Sequence, residues 1–445
     1  MRVPRQLKSL GQILASLKPY GNAVNPRLSE ELELNPTTFE LQGSASPIWD
    51  TPFVAKPILP GDEVNFQAFI DGAQRTRVVY WVPLESSGAL VPIVVGHIAA
   101  GVTLRDETGR LRANMMIVRD RMAIALPLTG MIDSGFKGAE VFKEWIDEGV
   151  LVHEREVGSD PIGALRLDEE GGPLILCDTT FNKLDREEAD EQRLLEEWRS
   201  SEDSEARPRL LLAEALYDIG KVKSRAQGRV NTLRQILEML ILTRFRERYE
   251  GNPYILVDGP LFFLAKWLRK HQVLGSMDAD ERERFVLKNA VGLVKSLKAR
   301  PQGIADLKML LNLRDGEYSP LMRVSDAVDI DAEETLTRPH VTTFLRFRSP
   351  PEGLSTPNPV GLVRVDLHTS TLGVELFEEI RSDEEEARKR LGPVVRGVRR
   401  ERWPAVEYKG RSYSQAFPVN ETERMLHSRL YSSREMGYVY SMMRT

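Results

Sequence analysis

The longest periodic segment of the sequence, at residues 208–249, restricts the fold more than any other feature. Apolar side chains recur there at three- and four-residue spacing, which is typical of a helix with one buried face. Gly251-Asn252-Pro253 predicts the end of that helix, and the compact apolar run at 254–257 then indicates a buried strand. A long helix that leads directly into such a strand favours a fold in which helices cover a sheet.

Residues with β-branched and aromatic side chains form three short runs ahead of this helix, at 64–70, 77–82 and 91–98. Turn signals separate the runs, and the first run ends in Asp71-Gly72. This pattern predicts an antiparallel meander. Further strands are predicted at 290–296, 342–347 and 360–367, and further helices at 138–148, 261–271, 279–288 and 420–431.

The order of these elements predicts an α/β chain with an RNase H-like mixed sheet and flanking helices. In that arrangement the first strand and the strand after the long helix lie side by side. We expect an N-terminal arm at 1–60, an RNase H-like domain divided into 61–149 and 207–445, and an inserted segment at 150–206. Within this insertion, residues 185–206 carry ten carboxylates and three arginines, which is typical of a solvated helix or linker.

The single cysteine, Cys177, excludes an intramolecular disulfide and a Cys-based zinc site. It also favours a reducing compartment, so we expect a cytoplasmic protein. No apolar run approaches the ~20 residues that span a bilayer, and residues 1–17 lack the unbroken apolar core of a signal peptide. We therefore expect no membrane partner.

The net charge of −5 gives the chain no overall basic field for nucleic acid. Any such binding would need a local patch. The best candidate is the stretch 388–411, where nine side chains are basic and two are acidic. A solvated charged helix accounts for the same composition equally well.

Two aspartates stand at the predicted exits of apolar strands: Asp71 follows Phe69-Ile70, and Asp258 follows Leu256-Val257. Each precedes a glycine, and an Asp-Gly step is most simply a turn signal. If the two strands are neighbours, about 4.8 Å apart, their carboxylates could also share a divalent ion. Oxygen ligands select Mg²⁺ or Mn²⁺, so both turns and a metal site remain open.

A third carboxylate, Glu238, lies in the helix that precedes the second of these strands. Its alternative role is an ordinary i,i+4 ion pair with Arg234. Two Asp and one Glu suit phosphodiester cleavage with two metal ions, one activating water and the other neutralising the leaving oxygen. Lys295, at the tip of the strand predicted at 290–296, would contact a phosphate or steady the nucleophile; a solvated strand-end lysine is the alternative.

Other catalytic classes lack their motifs. The sequence contains no Gly-x-Ser-x-Gly, no Walker-type phosphate loop, no Gly-x-Gly-x-x-Gly and no His-Glu-x-x-His. No two of the six histidines lie within ten residues of each other, so a multi-histidine metal site would require long-range assembly.

Short elements between residues 64 and 431 follow one another in a distinctive order. They are Phe69-Ile70-Asp71-Gly72-Ala73, Arg234-Gln235-Ile236-Leu237-Glu238, Ile255-Leu256-Val257-Asp258-Gly259-Pro260-Leu261, Ala290-Val291-Gly292-Leu293-Val294-Lys295-Ser296, Val363-Arg364-Val365-Asp366 and Phe417-Pro418-Val419-Asn420-Glu421-Thr422-Glu423. In order and spacing this set resembles the NurA nuclease family, DNA-end nucleases that work with the HerA hexameric ATPase.

The resemblance implies an RNase H-like fold and Mn²⁺-dependent (or Mg²⁺-dependent) cleavage of DNA. It also implies a homodimer docked on a HerA-like hexameric ATPase, which would supply translocation in DNA-end processing or in anti-phage defence. By family position, Asp71, Glu238 and Asp258 would be the metal ligands, and Lys295 would sit beside them.

The sequence departs from the family pattern in its first and last motifs. The family's first motif usually reads Asp-Gly-Ser, and here Ala73 replaces the serine. The family carries a late histidine where this chain has Glu423, with His427 one helical turn later. Either side chain could serve in its place, and Tyr413 is the candidate for the family's late tyrosine.

Two other function classes fit the sequence. A catalytically silent RNase H-like adaptor or regulator of a HerA-like ATPase would be expected to have lost one of the three carboxylates, and this chain retains all three. A nucleic-acid-binding module without chemistry would bind DNA in a salt-sensitive manner and ignore divalent metal.

Overall fold

A mixed sheet flanked by helices organises the α/β structure of this protein. The computed structural model describes residues 4–24, 32, 43–49, 54–84, 89–112, 114, 116–133, 136–159, 161–165, 171–180, 216, 218–270, 277–295, 299–301, 303–326, 339–349, 359–374, 377–403 and 414–444. Within these ranges the sheet has 15 strands, and no helix combines the length and apolar character needed to cross a lipid bilayer. The acidic run at 185–206, most of the first ten residues of the helix predicted at 208–249, and Tyr413 lie outside the described residues.

The strands are long at the centre of the sheet and short elsewhere. In chain order they are β1 (Asn22–Ala23), β2 (Gly43–Pro47), β3 (Lys56–Pro57), β4 (Phe66–Pro83), β5 (Leu90–Leu104), β6 (Ile117–Leu126), β7 (Leu151–His153), β8 (Leu174–Asp178), β9 (Tyr254–Asp258), β10 (Ala290–Val294), β11 (Ala299–Arg300), β12 (Glu317–Tyr318), β13 (Met322–Asp326), β14 (His340–Arg346) and β15 (Leu362–His368).

The helices lie between and after these strands. The α-helices are Arg5–Ser16, Leu128–Asp133, Ala139–Asp147, Glu154–Ser159, Pro161–Leu165, Ile219–Arg248, Leu261–Lys270, Ala279–Leu287, Ile304–Leu311, Phe377–Ser382, Glu384–Arg400, Phe417–His427 and Ser433–Arg444, and the 3-10 helices are Lys18–Tyr20 and Thr369–Leu372.

Five neighbouring strands at the centre of the sheet stand in the order β6-β5-β4-β9-β10. The pairs β4–β5 and β5–β6 are antiparallel, so a meander is present, but its three strands are not the three predicted at 64–70, 77–82 and 91–98. The pairs β4–β9 and β9–β10 are parallel. The prediction that the first strand lies beside the strand after the long helix is therefore confirmed.

The first strand of the meander differs from its prediction. The sequence predicts separate strands at 64–70 and 77–82, with a break at Asp71-Gly72, and this is wrong: β4 is a single strand of 18 residues. Asp71 pairs with Gly101, and Gly72 pairs with Ala100, so the ladder with β5 continues through the Asp-Gly step. Pairing and packing along the whole strand outweigh the local turn preference.

The helix Ile219–Arg248, called the long helix below, covers one face of the central strands. The Asp218 side chain caps its start by accepting a hydrogen bond from the Lys221 backbone N–H, 3.0 Å away. Residues at helical spacing, including Val230, Leu233 and Leu237, are buried against the sheet. Burial of each such side chain contributes about 1.5–3 kcal/mol, so packing fixes the helix at the level of Asp71 in the neighbouring strand.

Two helices near the C-terminus cover the other face. Side chains of Glu384–Arg400 pack with Phe66 and Phe69 of β4. Leu426, from the helix Phe417–His427, packs with Ala73 of β4. Because side chains alternate between faces along a strand, Asp71 points to the same face as Phe69 and Ala73.

The remaining segments add further strands to the sheet. Residues 150–180 contain β7 and β8, which continue the sheet beyond β6. From the region 1–60, β1 pairs with β4 and β2 pairs with β13. The helix Arg5–Ser16 packs against the C-terminal helix Ser433–Arg444. The sequence analysis does not predict this contact between the two ends of the chain.

Candidate active site

Beside Asp71 the strand pairing along one edge of β4 is interrupted; this interruption is called the step in the sheet below. On the edge of β4 opposite β5, β9 pairs with β4 as far as Ile70, and β1 pairs with the same edge only from Tyr80 onward. Ile70 is opposite Val257, so Asp71 stands level with Asp258, the last residue of β9. The juxtaposition of the two aspartates expected from the sequence is present, although Asp71 is in mid-strand.

The Asp71 carboxyl is 1% exposed. Its Oδ1 accepts a hydrogen bond from the Gly72 backbone N–H at 2.7 Å, whereas its buried Oδ2 has no hydrogen-bond partner among the described residues. Burial raises the pKa of Asp71 well above its usual range, and the negative charges of Asp258, Glu423 and Glu238 raise it further. Among the described residues no cation forms an ion pair with Asp71, although the charge of Lys295 partly offsets the rise in its pKa.

Lys295 binds the second aspartate. It follows β10 directly, and its Nζ lies 2.8 Å from Oδ1 and 2.9 Å from Oδ2 of Asp258. Burial favours the neutral amine, but Asp258, Asp71 and Glu423 outweigh it and raise the pKa of Lys295 above its ordinary value. Lys295 is thus a charged residue within the carboxylate cluster, and the alternative prediction of a solvated strand-end lysine does not describe it.

Glu238 approaches from the long helix, on the face opposite Asp71. Its Oε1 pairs with Arg234 and lies against Gly72, where a built Cβ would be 2.0 Å away from it. Burial raises the pKa of Glu238 to about 7 in spite of Arg234 and Lys295, which both lower it, while Asp258 raises it. The i,i+4 ion pair that the spacing offered as the alternative is present, but it is buried at the site.

The helix Phe417–His427 contributes a fourth carboxylate, Glu423. Gln415 donates a hydrogen bond to its Oε2 at 2.6 Å, and His427 Nε2 lies 3.7 Å from its Oε1. His427, Lys295 and Gln415 overcome the effect of burial and hold the pKa of Glu423 at about 2. Glu423 therefore faces the cluster as a carboxylate, and His427, which is 45% exposed, lies at its outer side.

This donor set is made of carboxylate oxygens, which suit a hard divalent cation such as Mn²⁺ or Mg²⁺. As the side chains stand, the described part of the chain has no group of three His, Cys, Asp or Glu residues placed to hold a metal ion. Lys295 and Arg234 instead bind Asp258 and Glu238. The observation that fits a cation is the buried Asp71 Oδ2, which lacks a partner within the described ranges.

Most arginines described in the stretch 388–411 bind other parts of the protein. Acceptors on the protein include the Leu372 and Gly373 carbonyls for Arg390 and the Asp62 and Leu59 carbonyls for Arg396. Asp315 pairs with Arg399 and Arg402, and Glu63 pairs with Arg400. These contacts favour the charged-helix interpretation over a phosphate-contacting surface for residues 388–403; residues 404–411 lie outside the described part of the chain.

Two residues of the cluster are absent from the sequence-based site. Arg234 is identified there only as an ion-pair partner, and Gln415 is not identified at all. The Arg-x-x-x-Glu spacing provides a signal for Arg234, but no local pattern shows that Gln415 reaches Glu423 across eight residues.

No protein-family model matches this chain, and no curated protein matches it either.

Proposed function

We propose that this protein is a metal-dependent deoxyribonuclease, similar to the NurA family, that cleaves DNA strands from their ends. The observation that carries the proposal is the meeting of Asp71, Glu238 and Asp258 at one step of the sheet, with Lys295 among them. Each side chain comes from a different element. Asp71 and Glu238 are buried and Asp258 is partly buried, and burying carboxylates is costly even where a cation pairs with them, as Arg234 does with Glu238 and Lys295 with Asp258.

The fold supports an RNase H-like arrangement of this domain. The strand order β6-β5-β4-β9-β10, with an antiparallel meander followed by two parallel strands, is the order expected for that arrangement. The long helix precedes β9 and carries Glu238. Fold alone does not determine function, so the proposal depends on the carboxylates.

Asp71, Glu238 and Asp258 would hold the divalent ions, Mn²⁺ or Mg²⁺, and two such ions would lower the pKa of an attacking water and neutralise the leaving oxygen. Asp71 offers a fully buried oxygen, Oδ2, that has no hydrogen-bond partner among the described residues. Lys295 supplies a positive charge for the scissile phosphate. The negative charge of Glu423 stabilises the charged form of Lys295.

The proposed assembly is a homodimer that receives DNA from a HerA-like hexameric ATPase in the cytoplasm. This part rests on the family resemblance; the sequence itself contains no Walker-type phosphate loop, and the proposal assigns translocation to the partner ATPase. DNA-end processing and anti-phage defence are both compatible with such an assembly.

The test is cleavage of end-labelled linear DNA in Mn²⁺, Mg²⁺ or EDTA, with and without the cognate ATPase. Asp258→Asn should lower metal-dependent cleavage by at least about 10- to 100-fold, the loss typical when even a partner of a metal ligand is removed. Asp315→Asn is the matched control, because Asp315 pairs with Arg399 and Arg402 away from the cluster. Cleavage by Asp258→Asn at the wild-type rate would remove this residue from the site.

The second candidate is a catalytically silent adaptor or regulator of a HerA-like ATPase. It is favoured by one observation, that Lys295 and Arg234 already neutralise two of the carboxylates. An adaptor would bind the ATPase and leave the labelled DNA intact with every divalent ion. Absence of cleavage by the wild type with the ATPase present would therefore select this function.

A further inference from the structure

We propose that Arg234 is a positioning residue of this site, which holds the Glu238 carboxylate in place for a divalent cation. The inference rests on the proposed function and extends it to a residue outside the expected ligand set. Arg234 acts through Glu238 in this scheme and does not itself touch the metal or the DNA.

The contacts of the guanidinium join the long helix to β4. Arg234 Nη1 contacts Glu238 Oε1 and donates a hydrogen bond to the Gly72 carbonyl at 3.2 Å. Its Nη2 donates to Asn231 Oδ1 at 3.0 Å. One planar group is therefore fixed by acceptors on two elements, and it binds the strand at the residue that follows Asp71.

The backbone below the ion pair leaves room for it only because residue 72 is glycine. A Cβ at this position would lie 2.0 Å from Glu238 Oε1 and 3.0 Å from Arg234 Cγ. Glu238 and Arg234 thus rest directly on β4. The pair connects one proposed ligand, Glu238, to the strand that carries another, Asp71.

Burial distinguishes this pair from the i,i+4 pairs on the protein surface. The Arg234 and Glu238 side chains are 17% and 4% exposed, whereas those of Lys389 and Glu385 are 66% and 80% exposed. Exposed pairs of this spacing are screened by solvent and hold their geometry only weakly. A pair enclosed between the helix and the strand keeps its geometry.

A fixed carboxylate matters for a metal ligand because glutamate has three rotatable side-chain bonds. Partners that orient a ligating carboxylate typically change metal affinity or activity by about 10- to 100-fold when they are removed. Arginine suits this task better than lysine, since its planar fork binds Glu238 and the Gly72 carbonyl through Nη1 and Asn231 through Nη2 at the same time. We therefore expect metal affinity to depend on Arg234.

The experiment measures Mn²⁺ binding to the full chain by isothermal titration calorimetry without DNA. Arg234→Met should weaken Mn²⁺ binding by about 10- to 100-fold, and Arg234→Lys should weaken it less. Arg244→Met is the matched control: Arg244 lies on the same helix in an exposed pair with Glu247, and its loss should leave the affinity unchanged. On DNA at saturating Mn²⁺, Arg234→Met should lower kcat and leave KM unchanged.

Several outcomes would overturn the proposal. Unchanged or tighter Mn²⁺ binding by Arg234→Met would make Arg234 a competitor of the cation or a bystander. A raised KM for DNA with unchanged Mn²⁺ binding would make it a phosphate-binding residue. If Arg234→Met does not fold, Arg234→Lys decides, and wild-type Mn²⁺ affinity in that variant refutes positioning by the fork. Failure of the wild type to bind Mn²⁺ would instead refute the proposed function itself.

Discussion

Gly72→Ala is the substitution that most directly tests how the site is built. The added Cβ would lie 2.0 Å from Oε1 and 2.9 Å from Cδ of Glu238. Both separations are shorter than non-bonded contact allows, so the Glu238 carboxylate must leave its position or the helix must move away from β4. Overpacking of this kind costs about 1–3 kcal/mol of folding free energy.

Gly96→Ala is its matched control. Gly96 lies on β5, opposite Thr76 of β4, and its added Cβ would meet Val230 Cγ1 and Cγ2 of the same long helix at 2.5 Å. Both variants replace a strand glycine that faces this helix, so their intrinsic strand preferences change equally. We expect a similar loss of about 1–3 kcal/mol in Gly96→Ala, but with no displacement of Glu238.

The assay pairs urea denaturation with Mn²⁺ titration and cleavage of labelled DNA. Both variants should shift the urea midpoint downward to a similar extent. Only Gly72→Ala should also lose Mn²⁺ affinity and cleavage, by about 10-fold or more. Equal Mn²⁺ affinity and equal cleavage in the two variants would refute the reasoning, because Glu238 would then have no role that depends on its position over Gly72.

The remaining predictions concern buried charges away from this site. Burial raises the pKa of Glu154 to about 7. The folded protein therefore keeps a proton that the unfolded chain loses near pH 4.5, and its stability should decrease as the pH rises from about 4.5 to 7. Glu154→Gln should remove this pH dependence of stability, measured by urea denaturation. Despite burial, His340, Arg269 and His368 hold the pKa of Glu283 at about 2, so its contribution to stability is present above pH 4.5 and is lost as the pH falls toward 2. Glu283→Gln should therefore cost about 3 kcal/mol at pH 7, and the difference from wild type, followed by denaturation at decreasing pH, should disappear near pH 2.

The order of the elements could be predicted from the sequence because periodicity and turn residues are local signals. Helices predicted at 138–148, 261–271 and 279–288 are found within one or two residues of their predicted ends. The strand after the long helix, β9, likewise begins at its predicted residue. In these segments the side-chain pattern and the tertiary packing favour the same structure.

The structural features that the sequence does not predict depend on contacts between residues that are distant along the chain. Asp71-Gly72 carries a turn signal, yet the ladder from β5 keeps it extended. No local pattern shows that this glycine is needed for a glutamate 166 positions later, which only the packing of the long helix reveals. The arginines of 388–403 look available in the sequence because the acceptors of several of them, such as Asp62 and Asp315, lie far away along the chain.

The cluster around Asp71 departs from the usual rule that a buried acceptor has a hydrogen-bond partner. An apolar residue at position 71 would bury no polar group, whereas the Asp71 carboxyl has an oxygen without a hydrogen-bond partner among the described residues and a raised pKa. Two cations, Lys295 and Arg234, offset the neighbouring carboxylates, but neither pairs with Asp71 in the described contacts. A structure that accepts this cost needs a compensating gain, since buried unpaired acceptors are otherwise rare. Binding of a divalent cation by Asp71 would supply that gain, which is why Asp71→Asn should stabilise the metal-free protein while it abolishes any stabilisation by added Mn²⁺.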